Sequence, residues 1–112
     1  MRIPLADRAI ISIEKLADYL LDIDHNDGGP KARFFALAGF SRERPDEFAE
    51  SLRRHHLTRD ARPGKLSPFG VKYEITGVLE GPLGEVHATS VWIIRYGETA
   101  PRLITVVPEN KS

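Results

Sequence analysis

His25, Lys31 and Arg33 are the residues whose types and spacing best suit chemistry. They lie in His25-Asn26-Asp27-Gly28-Gly29-Pro30-Lys31-Ala32-Arg33-Phe34-Phe35, a turn-rich loop entering a helix at Pro30, the preferred first helical residue. Lys31 and Arg33 then fall in the first helical turn, where the helix dipole repels cations. Free N–H groups, two cations and a flanking histidine suit an anionic group such as phosphate. The competing reading is a solvated loop whose Lys and Arg side chains snorkel outward.

A histidine titrates near neutrality, which makes His25 the proton-transfer candidate among the four histidines. His55 and His56 are adjacent, so they point to different helix faces and cannot pair as ligands. His87 stands alone on a strand. Asp22, Asp24 and Asp27 lack the terminal glutamate of a calcium loop and read as a solvated loop. There is no Cys/His cluster, no phosphate-binding glycine loop, no nucleophile elbow and no dinucleotide fingerprint. The expectation is a protein with no metal and no cofactor.

The chain has 112 residues and no cysteine, which excludes disulfides and thiolate chemistry. Its length suits a single domain, residues 1–112, with enough core to fold without staples. No apolar run approaches a membrane span, and Met1-Arg2-Ile3-Pro4 does not open a signal peptide. The expected address is cytoplasmic, with no membrane partner; delivery as part of a larger protein is compatible with the same sequence. Net charge is zero, against a strongly basic nucleic-acid binder. The charge is uneven, however. Residues 51–65 hold Arg53, Arg54, Arg59, Arg62 and Lys65 against Asp60 alone, a stretch that can attract phosphates or simply be solvated.

The elements that must position these residues follow from periodicity. A first helix is expected from Ser12 to Leu21, with Ser12 as N-cap and Ile13, Leu16, Ala17, Leu20 and Leu21 as its apolar stripe. A second runs from Pro30 to Ala38, stops at Gly39, and is anchored by Phe34, Phe35, Leu37 and Ala38. A third starts near Pro45 and buries Phe48, Ala49 and Leu52. Thr58 to Phe69 reads as an extended connector. Strands follow at Val71–Ile75, Val86–Tyr96 and Arg102–Val107. The fold class is therefore α+β: a helical part over about 12–56 packs on one face of a three- to four-stranded antiparallel sheet over about 71–107.

On the second of these strands, Ala88, Ser90, Trp92 and Ile94 share one face and Thr89, Val91, Ile93 and Arg95 the other. The second set is mostly apolar and is assigned to the core. Ser90 and Trp92 then lie on the open face, where a hydroxyl can bond a phosphate and an indole can stack a base. The competing reading puts Trp92 in the core.

The pattern Lys15-Leu16-x-x-Tyr19-Leu20-Leu21, His25, Gly29-x-Lys31-Ala32-x-Phe34-Phe35 resembles a group of uncharacterised bacterial domains. Gly70-Val71-x-Tyr73, Gly81-x-x-Gly84, Val91-Trp92-Ile93 and Pro101-Arg102-Leu103-x-Thr105 extend the likeness over nearly the whole chain. Such domains occur as small standalone proteins and as C-terminal tips of polymorphic or contact-dependent toxins. Their architecture is similar to the ribonuclease superfamily of barnase, EndoU, the tRNA-cutting colicins and RelE, and Ser90-x-Trp92 looks like the Ser-x-Trp strand of colicin D.

The resemblance implies a metal-independent endoribonuclease toxin domain acting on RNA, with tRNA as one target, through a 2′,3′-cyclic phosphate. His25 would move the proton, and Lys31 and Arg102 would stabilise the transition state. Ser90 or Thr105 would hold the phosphate, Trp92 would stack a base, and Arg33 would help bind. It also implies a cognate antitoxin or immunity protein. The alternative is a non-catalytic protein-binding module of a toxin–antitoxin or other two-protein system, with Trp92 as its anchor. Oligomeric state is left open.

Overall fold

The computed structural model describes residues 1–26 and 29–109. The alternating half of the chain forms one antiparallel sheet in the order β1-β2-β3-β4, from β1 (Arg62–Ser67), β2 (Gly70–Gly81), β3 (Gly84–Arg95) and β4 (Arg102–Pro108). The first strand lies where a connector is expected. Its edge position and a register irregularity between Pro63 and Leu66 explain this, because proline and glycine are tolerated at an edge and at bulges. The hairpin of β2 and β3 is also longer than the alternation suggests, pairing from Gly70↔Arg95 to Gly81↔Gly84.

The helices precede the sheet and cover one face of it. A 3₁₀ turn at Ala6–Arg8 leads to α1 (Ile13–Lys15), where the Ser12 hydroxyl accepts the Lys15 N–H at 3.2 Å, as an N-cap should. The helix then widens into a π turn, Leu16–Leu20, closed by Leu21 N–H to the Leu16 carbonyl at 2.8 Å. After α2 (Gly29–Ala36) the chain turns at Gly39, whose φ of 90° suits glycine. A side chain at Gly39 would also meet the Leu83 nitrogen at 2.9 Å, because the β2–β3 turn docks there. Leu37 does not anchor this helix: it is exposed beyond the helix end, while Phe35 and Ala38 are buried. Finally α3 (Pro45–Ser51) begins on its proline and ends in a second π turn, Leu52–His56.

The core joins Leu16, Leu20, Phe35, Phe48 and Leu52 from the helices to Ile75, Leu79, Ala88, Trp92 and Val106 from the sheet. This reverses the face expected for β3. Register places Tyr73 opposite Trp92 and Ile75 opposite Ser90, and Ser90 in turn opposite Val106. Ala88, Ser90 and Trp92 are fully buried under the helices. Thr89 lies on the other face, hydroxyl to hydroxyl with Thr76 at 2.8 Å.

The remaining edge, β4, carries a bulge: Val91 pairs with Thr105 but Trp92 with Leu103, leaving Ile104 as the extra residue. The N-terminal segment runs beside it. Ile10 bridges to Arg102, donating its N–H to the Pro101 carbonyl at 2.8 Å and accepting the Leu103 N–H at 3.0 Å. This pairing delivers α1 to the bulged edge. No helix among the described residues is long and apolar enough to cross a membrane.

Candidate functional site

The bulge gathers chemistry from three directions. Lys15, on the last residue of α1, donates its ammonium to the carbonyl of the bulged Ile104. Lys31, in the first turn of α2, reaches the Thr105 hydroxyl at 3.4 Å. Its ammonium also stands 5.7 Å from the centre of the Tyr19 ring, and that ring and the His25 ring meet nearly perpendicular with centroids 4.8 Å apart. Tyr19 belongs to the π turn, where the wider winding re-aims side chains. Lys15, Tyr19, His25, Lys31 and Thr105 thus form one cluster.

The electrostatics of the cluster are unbalanced. Neither Lys15 nor Lys31 is ion-paired to a carboxylate among the described residues. The Lys15 ammonium is held below the usual lysine range, first by partial loss of its water on packing against the sheet edge and second by the Lys31 charge. Two neighbouring cations repel each other unless an anion joins them, and perturbed groups of this kind concentrate at functional sites. Asp27 and Gly28, part of the loop singled out in the sequence, lie outside the described residues.

The other expected site residues go elsewhere. Arg33 is exposed and its guanidinium lies 3.5 Å from the Ile23 carbonyl, on the far side of its turn from Lys31. Arg102 forks onto Glu98 at 2.9 and 3.2 Å, which holds that carboxyl below the usual carboxylate range. Ser90 and Trp92 are sealed inside. The basic stretch of residues 51–65 is largely occupied as well. Arg53 bonds the Ala9 carbonyl, Arg54 pairs with Glu50, Arg59 bonds the His55 carbonyl, and Arg62 pairs with Glu74.

Sequence reasoning missed His56, which the interior takes up. Its Nε2 lies 3.1 Å from the Gly77 carbonyl and its Nδ1 2.6 Å from the Ser90 hydroxyl oxygen. A carbonyl only accepts, so Nε2 carries the proton and Nδ1 accepts the Ser90 O–H. The same oxygen accepts the Trp92 indole N–H at 2.8 Å. Burial, with Arg59 and His55 nearby, pushes the imidazole down to about 4 against the pull of the Gly77 carbonyl, so it is neutral. A serine within 2.6 Å of an imidazole matches a nucleophile and its base, but both are fully buried and no substrate reaches them. The signal was present: Phe48, Leu52 and His56 follow each other at helical i, i+4 spacing.

Among the described residues no three His, Asp or Glu side chains are grouped to hold a metal ion. An α+β chain with an N-terminal helical layer, a four-stranded antiparallel sheet and a basic cluster at its β4 edge defines the class. The chain belongs to the family described as a domain of unknown function, DUF6883, whose model matches residues 2–110. No curated protein and no solved structure matches the chain.

Proposed function

We propose that the β4-edge cluster binds a phosphodiester of RNA and that the protein is an endoribonuclease domain that needs no metal. The observation that carries this reading is the convergence of Lys15 and Lys31 beside His25, Tyr19 and Thr105, with no carboxylate among the described residues paired to either ammonium. Lys31 and the Thr105 hydroxyl hold the phosphate oxygens. His25 takes the proton of the ribose 2′-hydroxyl as its oxygen attacks phosphorus. The bond from phosphorus to the 5′-oxygen breaks, and Lys15, whose lowered affinity for its proton makes it a better acid, protonates the leaving oxygen. A 2′,3′-cyclic phosphate and a 5′-hydroxyl result. Ser90, Trp92 and Arg102 have no part in this scheme, which supplies in Lys15 the second proton-transfer group. A toxin role, a tRNA target and a cognate antitoxin or immunity protein are the biological setting of the same proposal.

The test is cleavage of defined RNAs by the purified protein and by His25→Ala, with product ends identified and EDTA present. Cyclic phosphate ends that vanish in His25→Ala support the reading. Intact RNA with the wild type, or cleavage that EDTA stops and magnesium restores, overturns it.

A further inference from the structure

A groove of about 890 Å³ opens from the cluster along the lower end of the sheet, and Lys15 lines both. Its walls are the turn between β1 and β2, the end of β3 and the start of β4. Phe69 is 73% exposed and Tyr96 62% exposed, and both face this space. They are not loose ends. The Tyr96 N–H donates to the Phe69 carbonyl at 3.0 Å and its hydroxyl to the Ser67 carbonyl at 3.2 Å, so the two residues are tied together on a braced turn. Lys72 and Arg95 flank them, and neither is ion-paired among the described residues. Arg102 also lines the groove, but Glu98 takes up its charge.

We propose that this groove holds the nucleotides of single-stranded RNA that flank the bond at the β4 edge. Phe69 and Tyr96 stack bases, and Lys72 and Arg95 meet the phosphates. The inference deepens the proposed function and rests on it for the identity of the polymer. Exposed aromatics interleaved with cations are the means by which proteins hold single strands without reading sequence. A duplex keeps its bases stacked on each other and has no use for aromatic platforms. A protein partner can use aromatic anchors, but three cations with no ion pair among the described residues, running on into the cluster through Lys15, complement a polyanion.

The test is fluorescence anisotropy with a short labelled 2′-O-methyl oligouridylate, which binds but cannot undergo 2′-attack, beside uridine 3′-monophosphate. Phe69→Ala and Tyr96→Ala should each weaken the oligomer roughly tenfold and leave the mononucleotide unchanged. The double variant Lys72→Gln, Arg95→Gln should flatten the slope of log affinity against log salt by about 1.4, two single-strand phosphate contacts. Tyr96→Phe, which keeps the ring, should bind as the wild type, and melting curves of all variants check that they fold. Oligomer binding indifferent to all these changes, or none by the wild type, overturns the groove. So does a Tyr96→Ala variant that loses a cognate protein partner yet keeps the oligomer. A wild type that binds the oligomer through Tyr96 but leaves unmodified RNA intact keeps the groove and removes the nuclease.

Discussion

Ser90 shows how a single polar residue can mislead a reading of strand faces. Alternation along β3 is legible, but both faces carry apolar residues, and Val91 and Ile93 made the wrong one look like the core. The deciding contact comes from His56, 34 positions away, which turns a buried hydroxyl from a cost into a partner. Nothing local to β3 announces it. Removing the hydroxyl with Ser90→Ala leaves both the Trp92 N–H and His56 Nδ1 unpaired, at about 1–3 kcal/mol for each orphaned group. Thermal melting should show that loss, while activity per folded molecule stays unchanged. A fall in activity without a fall in melting temperature returns Ser90 to the site. Lys31 should behave in the opposite way. Lys31→Ala should cut RNA cleavage by at least tenfold with little change in stability, since a partly exposed lysine contributes little to folding. Arg33→Ala, two residues on, should change neither. Equal effects from the two would remove Lys31 from any special role.

At the scale of elements, the helices were the most legible because each announces itself locally: Ser12 caps, Pro45 starts, Gly39 stops. Their π turns were not, since widening a helix by one residue answers to packing rather than to propensity. Those two turns carry Tyr19 and His56, the aromatic of the cluster and the imidazole of the core. Strand β1 was hidden because Pro63 and Gly64 forbid a central strand but not an edge one. Gly70 marks where this edge hairpin meets β3. A methyl there would collide with the Ile94 carbonyl oxygen and come within 2.7 Å of the Arg95 Cα, both backbone atoms that cannot swing aside. Gly70→Ala should therefore destabilise by about 1–3 kcal/mol or more, as overpacking does, and should disturb the Phe69–Tyr96 pair with it. Denaturant midpoints measure the first effect and oligomer binding the second. Gly77→Ala is the contrast, because the nearest atoms its methyl meets belong to the Arg59 side chain, which can move aside at the cost of its bond to the His55 carbonyl, so the loss should be smaller than at Gly70.

Over the whole molecule, zero net charge concealed a division of labour among its cations. The arginines of the second π turn, of the segment after it and of β1 are spent on carbonyls and carboxylates, whereas Lys15, Lys31, Lys72 and Arg95 form no ion pair among the described residues. Composition counts both kinds alike; only the fold separates them. The fold also sets how the protein meets acid. His56 is buried neutral with its protonation held down to about 4, whereas an unfolded histidine takes its proton near 6.5. Above the unfolded value neither state binds that proton, and the stabilising contribution is complete. As the pH falls from 6.5 towards 4 the unfolded chain gains a proton that the folded one refuses, so stability declines across that window. The full decline is about 3 kcal/mol. Among the described residues Glu98 also has a depressed carboxyl, but it is solvent-exposed in its pair with Arg102, and its contribution fades only at lower pH. Urea unfolding at pH 7, 5.5 and 4.5 should show midpoints falling progressively in the wild type. In His56→Gln, whose amide can still meet Gly77 or Ser90 but does not titrate, the starting stability should be lower and that part of the slope absent. A wild-type midpoint flat across the window, or an identical slope in the variant, would mean that the buried imidazole does not govern acid tolerance.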